Sequence, residues 1–98
     1  MKKYEINEKN FLAHELNGLE LEVKNSSNKN RKGLKGKIVK ETKNVFVIEK
    51  KGEEKIIPKK ECDLRIKLPN GKKVEINGKK LAFRPEERIK KFWRKKNF

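Results

Sequence analysis

Residues 33–49 limit the fold of this chain more than any other stretch. They read as strand, tight turn, strand. Ile38, Val39, Val45, Phe46, Val47 and Ile48 are β-branched or aromatic, types that suit a pleated, half-buried surface. Thr42-Lys43-Asn44 between them is polar, and Asn tolerates the left-handed backbone of a short reversal. Gly36 inside the first strand predicts a bulge or a sharp bend, as at the corner of a small barrel. One face of this hairpin is apolar enough for a core, and the other carries Lys35, Lys37, Lys40 and Lys43.

The flanking segments repeat the short-strand pattern. Residues 10–18 predict a short helix, with Leu12 and Leu16 on one face and Gly18 as its stop. Leu19, Leu21 and Val23 alternate with Glu20, Glu22 and Lys24, which predicts a first strand facing inward through its apolar residues. Residues 25–32 contain no apolar side chain and read as a flexible loop. Beyond the central hairpin, residues 54–58 form a short strand ended by Pro58. Residues 62–68 alternate again, with Cys62, Leu64, Ile66 and Leu68 inward. Asn70-Gly71 and Asn77-Gly78 are each a strong hairpin signal, and together they predict a meander of very short strands. Strands at this spacing, with no crossover helix, favour a small closed antiparallel barrel. The period changes at residues 84–96, which predict a helix with Pro85 in its first turn. Glu86 and Glu87 lie at its start and lysines at its end. Ile89, Phe92 and Trp93 form a narrow apolar stripe suited to docking.

The charge is extreme for 98 residues. The net charge is +15, 44% of residues are charged and only 33% are hydrophobic. A compact chain carrying that charge repels itself, so a polyanionic partner is expected. Nucleic acid fits first and an anionic membrane surface second. Between residues 24 and 43 there are eight basic residues against the single acid Glu41. Lysine outnumbers arginine, which favours general phosphate attraction over bidentate reading of bases. Catalytic groups are scarce. His14 and Cys62 are the sole residues of their kinds, no metal-ligand spacing occurs, and residues 33–37 lack the length and closing Lys-Ser/Thr of a phosphate-binding P-loop. Cys62 reads as a small buried apolar residue. No apolar run reaches the length of a membrane span, and a cytoplasmic location is expected.

Several pieces, in a fixed order, resemble a known family. They are His14-Glu15-Leu16-x-Gly18-Leu19, Gly33-Leu34-Lys35-Gly36-Lys37-Ile38-Val39, Glu41-Thr42-Lys43-Asn44, Val47-Ile48-Glu49, Leu68-Pro69-Asn70-Gly71-Lys72 and Arg84-Pro85-Glu86-Glu87-Arg88. The chain resembles archaeal ribonuclease P protein component 1, a family shared with a eukaryotic RNase P and RNase MRP subunit. The resemblance implies a six-stranded Sm-like or SH3-like barrel flanked by helices. It also implies binding to the RNase P RNA, at its specificity domain, together with a small zinc-ribbon protein subunit. The ribonucleoprotein removes the 5′ leader of precursor tRNA, and its RNA, with Mg²⁺, carries the catalysis. This chain is then expected to bind no cofactor and to be non-catalytic alone. Asn17 stands where the family usually has an aliphatic residue, and Phe83 where a glycine is frequent.

The expected layout is a tail and short helix (1–18), a β-barrel (19–83) and a basic C-terminal helix (84–98). The expected RNA contacts are Arg31, Lys32, Lys35, Lys37, Lys40, Lys43, Arg84, Arg88, Lys91 and Arg94. Leu12, Leu16, Leu19 and Leu21 are expected to serve the protein partner. Two competing readings are a ribosome-associated SH3-like barrel outside tRNA processing and a small nuclease acting alone.

Overall fold

A computed structural model describes residues 10–96, with side chains through Phe92. Six antiparallel strands form one sheet: β1 (Glu20–Ser26), β2 (Lys35–Glu41), β3 (Val45–Lys50), β4 (Glu53–Pro58), β5 (Cys62–Lys67) and β6 (Lys73–Asn77). Their order is β4-β3-β2-β1-β5-β6. A helix, α1 (Pro85–Lys96), follows. The chain is mainly β, as its short alternating segments require.

Alternation along each strand builds the interior. Leu21 and Val23 of β1, Ile38 of β2, Phe46 and Ile48 of β3, Ile57 of β4, and Cys62, Leu64 and Ile66 of β5 all point into one apolar cluster. Leu16, Leu68 and Leu81 complete it. Each such side chain contributes about 1.5–3 kcal/mol on burial. The sheet coils through two irregularities, between Val23 and Asn25 and between Ile38 and Lys40. The second lies two residues beyond Gly36, where the bend was expected. Gly36 instead provides room for a close approach. A Cβ there would sit 2.7 Å from the Glu49 carbonyl oxygen, so its absence lets β2 close on β3.

The β3–β4 reversal uses Lys51 and Gly52, both at positive φ, which matches the twist of a two-residue hairpin. Asn70-Gly71 makes the expected turn, with Gly71 at φ 87°. Asn77-Gly78 does not. Asn77 caps a 3-10 turn, Gly78–Leu81, by accepting from the Lys79 amide at 2.8 Å. Gly78 is there for space, since a Cβ would collide with the Lys59 carbonyl. That contact joins the 3-10 turns after β4 (Lys59–Glu61) and after β6, and so closes one end of the barrel between its two edge strands.

Two further expectations differ. Residues 10–18 form one 3-10 turn, Phe11–Ala13, leave it through an extended His14 and turn again at Asn17-Gly18 instead of continuing as a helix. Leu16 drops into the core, and the Gly18 amide donates to the Ile38 carbonyl at 2.7 Å. A nine-residue helix is too short to hold against such tertiary bonds. The polar loop after residue 24 is instead strand to Ser26, followed by a 3-10 turn, Lys29–Arg31, capped by Asn28. The first nine residues lie outside the described residues.

Replacing Gly78 by Ala should lower stability by about 1–3 kcal/mol or more through overpacking against backbone. Gly36→Ala should act in the same direction. Urea unfolding of both variants checks this, and an unchanged midpoint for Gly78→Ala would mean that the two turns do not meet.

Candidate nucleic-acid interface

The most basic end of the barrel is a cleft of about 430 Å³. Its walls come from Gly33, Leu34 and Lys35 at the start of β2 and from Ile48, Lys50, Lys51, Glu53 and Lys55 of the β3–β4 hairpin. The hairpin register sets Lys55 opposite Ile48 and Lys50 opposite Glu53. Four ammonium groups therefore surround a partly apolar floor of Leu34 and Ile48. Glu53 offsets one of them, lying 3.7 Å from Lys55. Such a cleft can hold phosphate at its rim and a flat apolar group on its floor.

A second cleft, of about 360 Å³, lies at the other end of the same hairpin. The Thr42–Asn44 turn and the start of α1 form it, through Glu41, Lys43, Asn44, Arg84, Pro85 and Glu86, so two acids stand among its two cations. The turn is fixed by the Thr42 amide donating to the Val45 carbonyl at 2.9 Å. The helix start is fixed by Glu87, which accepts from the Arg84 amide at 3.3 Å.

Seven of the ten expected contact residues divide into three groups. Lys35 lines the first cleft; Lys43 and Arg84 line the second. Lys32, Lys37, Lys40 and Lys91 are exposed, with Lys91 4.7 Å from the centre of the Phe83 ring. Not all of these charges are free. Lys37 faces Glu20 on one side and Glu49 on the other, and Lys35 lies 3.9 Å from Glu20. Arg31 donates to Glu61 at 2.9 Å. The outer face around β1 and β2 therefore alternates in charge instead of being uniformly basic. The side chains of Trp93 and Arg94 lie outside the described residues.

Arg88 belongs to neither cleft. Its side chain is wholly buried, and so are those of Lys59 and, nearly, Glu41. Arg88 Nη2 and Nε donate to the two Glu41 oxygens at 2.8 and 3.2 Å. Its Nη1 donates to the carbonyls of Leu12 and His14 at 2.6 and 2.9 Å. Lys59 Nζ donates to Glu41 at 2.9 Å and to the carbonyls of Leu81 and Phe83 at 2.8 and 3.1 Å. It also lies 4.8 Å from the centre of the Phe46 ring. Two cations thus share one carboxylate, and four carbonyl oxygens take the surplus positive charge. Burial pushes the Lys59 ammonium below its ordinary range, and the bond to Glu41 opposes that shift. Arg88 is a structural residue here, because every direction of its guanidinium but one is taken up inside the protein.

The aliphatic residues expected to meet a protein partner are largely spent on the core. Leu16 and Leu21 are fully buried, while Leu12 and Leu19 are half-buried against the same cluster. Lys50, Lys51 and Lys55, which line the first cleft, are not among the expected contacts. They sit in and after a turn, and only the approach of residues 33–35 makes them a site.

A family model described as Ribonuclease P/MRP, subunit p29, matches residues 9–91. The chain belongs to that family. It is 48% identical over 83 residues to ribonuclease P protein component 1 of Methanocaldococcus jannaschii, covering 84% of this chain and 86% of the relative. Identity to the protein of the same name from Pyrococcus furiosus is 42% over 92 residues, covering 92% of this chain and 71% of that one. Among solved structures it is similar to Mth11, described as a homologue of human RNase P protein Rpp29. That match has a TM-score of 0.59 and 40% identity, over 78% of this chain and 99% of the other. The chain is thus a protein subunit of the ribonuclease P family, and its sheet of six strands is the family's fold.

Glu41→Gln should cost about 3–5 kcal/mol, since it leaves two buried cations without their carboxylate. Arg88→Lys should also destabilise, because an ammonium cannot span both carboxylate oxygens and two carbonyls at once. Urea unfolding, paired with RNA titration of the folded variants, separates the roles. A lower midpoint with an unchanged salt slope is expected for Arg88→Lys; the opposite pattern would put Arg88 on RNA.

Proposed function

We propose that this chain binds the RNA of ribonuclease P through the basic cleft at one end of the central hairpin and the cleft of Lys43 and Arg84 at the other, and leaves cleavage of the precursor-tRNA leader to that RNA. The observation that carries the proposal is the cleft of Lys35, Lys50, Lys51 and Lys55 around Leu34 and Ile48, in a chain of net charge +15 that belongs to a ribonuclease P family. Lys43 and Arg84 at the second cleft, with Lys37 and Lys40 between, extend the surface along β2. Lysines at such spacing neutralise phosphates and let RNA helices approach, which lowers the Mg²⁺ the RNA needs to fold. The family resemblance points further, to the specificity domain of that RNA and to a zinc-ribbon protein bound alongside.

Reconstitution tests this. Precursor-tRNA cleavage by the RNase P RNA and its other proteins is measured at limiting Mg²⁺, with and without this chain. Faster cleavage with the chain is expected, and no change counts against the proposal. The variant with Lys35, Lys50, Lys51 and Lys55 all replaced by Ala should bind RNA more weakly. Its slope of log affinity against log salt should be flatter by roughly 3, the loss of about four phosphate contacts. An unchanged slope would move the site off this cleft.

A further inference from the structure

The outer face of β3 and β4 is chemically unlike the rest of this surface. The hairpin register places Val45 opposite Pro58, Val47 opposite Ile56, and Glu49 opposite Glu54. On β2, the irregularity after Ile38 turns both Val39 and Lys40 outward, with Lys40 paired to Val47. Val39, Val45, Val47, Ile56 and Pro58 therefore form one contiguous apolar patch. Ile56 is 62% exposed and Val39 38%. They are the two large hydrophobic residues exposed among the described residues. Such a patch is unfavourable in water unless something covers it. Core packing cannot explain it, because Phe46, Ile48 and Ile57 of the same strands already fill the inward face.

The border of the patch decides between occupants. Next to the Val47–Ile56 row stand Glu49 and Glu54 side by side. Glu49 has Lys37 on its other side, whereas Glu54, on the edge strand β4, has no ion pair among the described residues. Adjacent like charges on facing strands are unfavourable, so a cationic group from outside would relieve them. Apart from Lys40 at the β2 margin, the apolar row offers phosphate no cation. A second copy of a chain with net charge +15 would be repelled as a whole. We infer that the outer face of β3 and β4 is a protein-docking surface for another protein that presents apolar side chains flanked by lysine or arginine. Ile56 is its central apolar contact, and Glu54 receives the cation. The barrel then divides its surface, with RNA at the two clefts and protein on the face between β3 and β4. This differs from the partner surface expected beside β1, where Leu16 and Leu21 are buried and Leu12 and Leu19 half-buried.

Ile56→Asp and Glu54→Lys test the inference, since both sites are exposed and neither change disturbs the core. Wild type and variants are titrated separately against RNase P RNA and against each of the other RNase P protein subunits of the same organism, individually purified. The wild type binds one of those proteins, and Ile56→Asp weakens that binding by about 30-fold or more. Glu54→Lys weakens it too and reduces its salt dependence. RNA affinity of Ile56→Asp changes by no more than about threefold. Unchanged affinity for every protein subunit overturns the inference. So does a loss that falls on RNA binding instead, or a wild-type homodimer that Ile56→Asp converts to monomer in sedimentation.

Discussion

The Glu41 carboxylate is the point on which this fold converges. It ends β2, yet it reaches Arg88 across 47 residues and Lys59 across 18. Through Arg88 it holds the backbone of Leu12 and His14, and through Lys59 that of Leu81 and Phe83. Five segments are therefore fixed by one acid. The sheet makes its own apolar core, and these polar bonds tie residues 12–14 and the start of α1 to it. A small core cannot bury every segment by apolar contact alone. A buried charge cluster is poor evidence for net stability; here its effect is to choose one placement for α1 and the N-terminal pass among many.

That choice matters for the surface. Arg84 stands one turn before Arg88 on the same segment, so fixing Arg88 also fixes Arg84 beside Lys43. The second cleft exists because the buried cluster presses the helix start against the β2–β3 turn. At the other end, Gly36 lets β2 and β3 close tightly, and the Lys51-Gly52 reversal carries its lysines over Leu34. The net charge steers any polyanion toward the whole barrel. In the proposed function the clefts, and the acids on the faces between them, set where it comes to rest.

Strand positions were legible in the sequence because period-two alternation is local and the turns carry Gly or Asn at the right offsets. The family was legible because six short motifs occur in order. Other features were not. Asn77-Gly78 carries the residues of a hairpin turn, yet it caps a 3-10 turn because the Lys59 carbonyl occupies the space a Cβ would need. Residues 10–18 carry a helical pair, Leu12 and Leu16, but core burial of Leu16 breaks the segment into two separate turns. Arg88 looks like any cation on a basic helix. Its burial depends on an acid in a distant strand, and no local pattern reports that. Lys50, Lys51 and Lys55 were overlooked for the same reason, since their partner wall lies on a different strand, well before them in the chain.

Amide hydrogen exchange of the chain with and without RNase P RNA, at low Mg²⁺, tests most directly where nucleic acid rests. Protection should appear at residues 33–35, 50–55 and 42–44, with none added at residues 56–58. Protection confined to β1, β6 or the Ile56 face, with both clefts exchanging as in the free protein, would contradict the account.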